Sequence, residues 1–144
     1  MPALPQDVAG FIASGRVGHL GTADASGQPL VVPFCYAFDG SALFSAVDAK
    51  PKRTAPDGLK RVRNIRENPK VCVVIGDWDE DWSRLRHVII RGEAEVLTSG
   101  PDYRRGVELL LAKYPQYRRM GLDAEGGVMI KVTPGRVTQW SLTG

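Results

Sequence analysis

Arg16-Val-Gly-His-Leu-Gly-Thr-Ala-Asp-Ala-Ser-Gly-Gln-Pro-Leu-Val-Val-Pro-Phe-Cys-Tyr-Ala-Phe-Asp-Gly40 holds two strand-like runs. Arg16 to Thr22 and Pro29 to Phe38 are separated by Ala23 to Gln28, whose Asp, Ser and Gly are turn formers, and this spacing predicts a β-hairpin. In the second run Leu30, Val32, Phe34, Tyr36 and Phe38 alternate with Val31, Pro33, Cys35 and Ala37. Both faces are therefore largely apolar, as in a strand buried on two sides or facing a ligand.

Working outward, Asp39-Gly40 makes the next turn and Ser41 to Val47 reads as a third strand, so the three predict an antiparallel meander. A loop rich in Pro and charge leads to a helix from Leu59 to about Glu67, stopped by Asn68-Pro69. Strands follow at Lys70 to Asp77 and Arg84 to Leu97. Gly127 to Val132 and Arg136 to Leu142 are expected to close the chain as a hairpin around Thr133-Pro134-Gly135. Before the first strand, apolar residues from Leu4 to Ser14 recur at helical spacing, with Gly15 where a cap would sit. Tyr103, Val107, Leu110, Leu111 and Tyr114 mark an amphipathic helix over Pro101 to Tyr114. About seven short strands with inserted, non-alternating helices predict a mainly β chain: an antiparallel, Greek-key-like barrel with peripheral α-helices. At 144 residues, one domain over 1–144 is expected.

Hydrophobic residues at 43% and charged ones at 24% argue against disorder over most of the length. No apolar run reaches the roughly 18–20 residues that span a bilayer, and the N-terminus has no basic region followed by an apolar stretch. A cytoplasmic protein without membrane association is the expectation. Cys35 and Cys72 sit in apolar runs and are expected to be buried thiols. With His19 and His87 they form no ligand spacing, so no metal site is expected.

Charge is unevenly placed. Eight basic residues between positions 50 and 70 face only Asp57 and Glu67, a net +6, which leaves −3 for the rest of a chain totalling +3. That local excess suits an anion. Leu43-Phe-Ser-Ala-Val-Asp-Ala-Lys-Pro-Lys-Arg53 passes from a strand through a hydroxyl residue into a lysine-rich loop, and the basic helix follows. Ser45, Lys50, Lys52 and Arg53 could together offer hydroxyl, ammonium, guanidinium and backbone N–H donors to one phosphate. On charge alone a solvated basic face explains the same residues.

The order of these pieces resembles the flavin-binding split-barrel family typified by pyridoxamine 5'-phosphate oxidase. Val17 to Pro29 looks like its opening hairpin, and Val31 to Gly40 like its second strand. The Lys50–Lys52 segment, the Leu59 to Val71 helix and strand, and Val132-Thr-Pro-Gly-Arg-Val-Thr-Gln-Trp140 fit the same scheme. Asp77-Trp78 to Asp81-Trp82-Ser-Arg-Leu85 is similar to the branch that uses the deazaflavin coenzyme F-420. The resemblance implies a cofactor phosphate at Ser45, Lys50 and Lys52, and a ring against Val31, Val32, Pro33 and Phe34. The places of Arg53, Lys60 and Arg61 are less defined, because Thr54 to Gly58 looks like an insertion. It also implies a homodimer with cofactor sites at the interface. Trp78, Trp82 and Trp140 are candidates to wall the pocket, Trp140 first, with core or interface packing as the alternative.

The reading is an oxidoreductase that uses F-420, or FMN, to pass hydride to a small molecule. In that chemistry the cofactor reacts and the protein positions, so no catalytic residue can be named. The anionic tail of F-420 would suit Lys60, Arg61, Arg63 and Arg66, whereas FMN needs one phosphate site. A non-catalytic FMN carrier or sensor would use the same pocket. A nucleic-acid-binding barrel fits less well, since the aromatics are not interleaved with the basic residues.

Overall fold

The computed structural model describes residues 3–47, 59–124 and 126–142. A helix α1 (Gln6–Ser14) precedes strands β1 (Gly18–Ala23), β2 (Pro29–Phe34), β3 (Ala37–Phe38) and β4 (Leu43–Val47). Helix α2 (Lys60–Glu67), β5 (Lys70–Asp77), β6 (Arg86–Leu97), helices α3 (Pro101–Lys113) and α4 (Gln116–Arg119) and β7 (Val128–Ser141) follow, with a 3-10 turn at Trp82–Arg84. All strand pairs are antiparallel, in the order β2-β1-β5-β6-β7-β4-β3. The fold is mainly β, a seven-stranded sheet curled into a half-barrel with helices around it.

The first hairpin forms as expected. Asp24 accepts hydrogen bonds from the Ser26 and Gln28 amides at 2.9 and 3.0 Å, and Gly27 takes a φ of +90°, which side-chain-bearing residues avoid. The meander does not form, because β2 and β3 stand at opposite ends of the strand order. The expected single strand from Pro29 to Phe38 breaks at Cys35-Tyr36, where the fully buried Tyr36 donates from its hydroxyl to the Ile12 carbonyl at 2.5 Å. The chain there leaves one edge of the sheet and joins the other.

The closing hairpin is also absent. β7 is one strand that pairs with β6 along its length and with β4 only over Val128–Val132. Beyond Val132 its second side has no neighbour among the described residues, so Pro134 forfeits no ladder bond there. The register shifts between Arg91 and Gly92, and a side chain on Gly92 would run into the Thr133 carbonyl.

Two apolar clusters fill the molecule. Leu20, Val73, Ile75, Val88, Ile90 and Ile130 line the inner face with Val8 and Ile12 of α1 and Val62 and Ile65 of α2. Tyr103, Val107 and Leu110 of α3 pack on Ala37, Phe44 and Met129. Gly106 allows that approach, since a Cβ there would lie 2.9 Å from both Met129 Cε and Phe44 Cδ1. Gly15 ends α1 with φ −62°, so its role is close approach to Tyr36 and Ile75, not the left-handed cap its position suggested. No helix among the described residues is long and apolar enough to cross a membrane.

Candidate functional site

Curling brings the two ends of the strand order towards each other, and a cavity of about 520 Å³ lies where they meet. Pro33, Phe34 and Cys35 at the end of β2 form one side, and Ser45 and Ala46 of β4 another. Arg61 of α2 joins Ser45. Arg16 and Val17 come from the link between α1 and β1, and Tyr114, Gln116, Tyr117 and Met120 from the α3–α4 elbow. The volume is that of a small-molecule site, within the ~300–1,000 Å³ usual for ligands. Among the described residues its wall carries two arginines and no acidic residue.

Of the residues singled out in the sequence, the structure places Pro33, Phe34 and Ser45 on this cavity although β2 and β4 are not paired. Val31, on the same face of β2 as Pro33, is 65% exposed and does not line the cavity, and Val32 packs against the core. Lys60 is turned to Asp24, with Nζ 3.4 Å from the carboxylate, and its neighbour Arg61 lines the cavity instead. Lys50, Lys52 and Arg53 lie outside the described residues. Trp140 is on the outer face of β7, stacked on His87 with ring centroids 5.4 Å apart and planes at 17°. Trp78 and Trp82 are exposed in the β5–β6 connection, and neither lines this cavity. The cysteines are not the buried pair expected: Cys35 is exposed and Cys72 half-buried, both free.

Arg16, Tyr114 and the α4 residues went unread as site residues. Arg16 and Tyr114 are held together by long-range bonds. The Tyr114 hydroxyl lies 2.9 and 3.1 Å from the carbonyls of Arg16 and Tyr36, and the Arg16 guanidinium lies 4.5 Å over the Tyr114 ring. Lys113 donates from Nζ to the carbonyls of Gly15 and Tyr36 at 2.5 and 2.9 Å. Burial, and then the Arg16 charge, push its amine down to about 8. Burial raises the Tyr114 phenol, which stays neutral at ordinary pH.

The family model for pyridoxamine 5'-phosphate oxidase matches residues 4–141. No curated protein matches the sequence. Among solved structures, the heme storage protein HutZ of Vibrio cholerae is similar with a TM-score of 0.71 at 13% identity, over 98% of this chain and 95% of that one. An FAD-binding protein of Mesorhizobium loti gives 0.67 at 23%, over 92% and 89%. An F-420 reductase gives 0.64 at 22%, over 94% and 98%. These likenesses establish the fold.

Proposed function

Because the chain belongs to the pyridoxamine 5'-phosphate oxidase family, we propose that its cavity binds a flavin-type cofactor and that the protein is an oxidoreductase acting on a small molecule. One observation carries the reading: Ser45, Arg61, Pro33 and Phe34, from three separate elements, line one cavity of ligand size that has no acidic residue among its described lining residues. A hydroxyl and a guanidinium suit a phosphate, and the apolar side chains of Pro33 and Phe34 suit a ring. The cofactor supplies hydride transfer when bound. The chain's residues bind it, orient it and exclude water.

We favour coenzyme F-420, with FMN as the alternative. Arg61, on the basic helix α2, lines the cavity, where a further carboxylate of F-420 would find a cation, and the F-420 reductase shares the fold. A non-catalytic FMN carrier or sensor is the second reading. It is favoured by the Tyr114 hydroxyl, a phenol held in the wall at backbone carbonyls, which is committed to structure and not free to give a proton. The site is read as shared between two copies, with Trp140 acting across the interface. Free thiols and the absence of a spanning helix among the described residues accord with a cytoplasmic place.

The test is a pair of fluorescence titrations of the purified chain with FMN and with F-420, followed by turnover assays of the loaded protein. Tight F-420 binding with hydride transfer to any acceptor supports the reading. Tight FMN binding without turnover supports the carrier, and binding of neither removes the cofactor reading.

A further inference from the structure

Resting on that cofactor reading, we propose that the Arg16 end of the cavity is a second anion site, which holds the carboxylate of a planar acceptor substrate. The two arginines of the wall come from different parts of the fold: Arg61 from α2, and Arg16 from the α1–β1 link, bonded to the end of α3. One phosphate can engage the first and leave the second to another group.

Arg16 is exposed and lines the cavity wall. Its two terminal nitrogens reach one acceptor in common, the Lys113 carbonyl, each at 3.3 Å, and its guanidinium plane lies over Tyr114. Behind it the Lys113 amine sits 4.1 Å from the Tyr36 ring centre and 5.3 Å from that of Tyr114. Neither cation makes an ion pair among the described residues. Asp77 borders a separate hollow of about 230 Å³ shared with Arg16, without pairing to it. Two neighbouring positive charges without a counter-charge favour entry of an anion.

The surroundings specify its shape. Tyr114 and Tyr117 meet edge to face, 5.8 Å apart at 87°, and Met120 adds a polarisable thioether. Aromatic edges with a sulfur receive a flat conjugated body, and a guanidinium already oriented by a ring receives a carboxylate through paired N–H donors. Gln116 offers an amide to a further polar substituent.

Benzoate, with benzyl alcohol as its uncharged counterpart, is the probe. Both are titrated by ligand-observed NMR into the cofactor-free chain and into Arg16→Gln and Arg16→Lys, with melting checked for each. FMN and F-420 affinities are measured on the same proteins. We expect wild type to bind benzoate at least tenfold more tightly than benzyl alcohol, Arg16→Gln to lose that preference and Arg16→Lys to retain part of it, with cofactor affinities within twofold throughout. Equal benzoate binding by wild type and Arg16→Gln, or none by wild type, overturns the proposal. So does an Arg16→Gln variant that weakens F-420 but not FMN, because the carboxylate held would then be the cofactor's own. The benzoate measurement needs no cofactor, so failure of both flavins to bind counts against the proposed function alone.

Discussion

Arg61 and Lys60 are adjacent cations with different surroundings, and the difference is testable. Val62 and Ile65 seat α2 on the core, which places Arg61, one turn before Ile65, at the edge of the buried face and sends Lys60 to Asp24. Arg61→Gln should cost cofactor affinity about 1.5–3 kcal/mol, the loss of a hydrogen bond to a charged group, or roughly ten- to a hundredfold in Kd. Lys60→Gln removes a surface ion pair worth about 0–1 kcal/mol and should leave that affinity nearly unchanged. Fluorescence titration of both variants decides it, and equal losses would assign both residues to the phosphate. Of the cavity wall, Pro33 and Phe34 were legible through the family resemblance and Ser45 through the passage of a strand into a basic loop, although Ser45 lies mid-strand in β4. Arg16 and Tyr114 were not, because their contact spans 98 positions and no periodicity reports it. Asp39 supplies a pH dependence. Against the cost of its burial, Arg105 at 2.9 Å and the Ala42 and Ser41 amides hold its carboxyl down at about 2. The native state then binds fewer protons than the unfolded chain between pH 2 and 4, so this stabilisation is complete above pH 4 and disappears as pH falls through 2. Urea midpoints of wild type and Asp39→Asn should therefore differ by a constant amount above about pH 5 and converge towards pH 2.

Elements were easier to find than to delimit. β5 and α3 fall where their periodicity put them, since alternation and a 3.6-residue stripe are written in the residues that face the core. The expected break inside β7 failed for a reason the local sequence does not contain: Thr133-Pro134-Gly135 has turn chemistry, but β6 continues alongside and absorbs the irregularity as a bulge. The break in β2 was missed for the converse reason, because Tyr36 is drawn away by bonds to α1 and α3. The packing of α3 on β4 and β7 turns on one position. Gly106→Val would force a side chain into contacts already at 2.9 Å and should destabilise the fold by about 1–3 kcal/mol, more than Gly10→Val, whose Cβ meets nothing within 4 Å. Chemical denaturation of the pair separates this steric effect from the change in helix propensity between Gly and Val, which both variants share.

At the scale of the molecule, the mainly β barrel with peripheral helices was legible from strand number and helix placement, but the strand order was not, since pairing partners are chosen across the whole chain. That order creates an outer face. Pro33, His19, Val74, Ile89 and Thr138 stand side by side across five strands, and Val31, at 65%, Val74, at 39%, and Trp140, at 44%, are exposed on it. The proposed shared site requires a second copy of the chain, and this face with its exposed apolar side chains is the proposed contact. Val74→Glu is the discriminating change, because it sits at the centre of that row and is not among the cavity-lining residues. In a symmetric pair it buries a charge on both sides of the interface. Wild type should sediment at twice 15.7 kDa and the variant at 15.7 kDa. If the cavity is completed across the interface, cofactor affinity should fall with dimerisation although every residue of the cavity wall is intact, and should recover as protein concentration drives the variant back to dimer. A wild-type monomer that binds cofactor fully would show that one chain's cavity is sufficient and would leave Trp140 without a part in it.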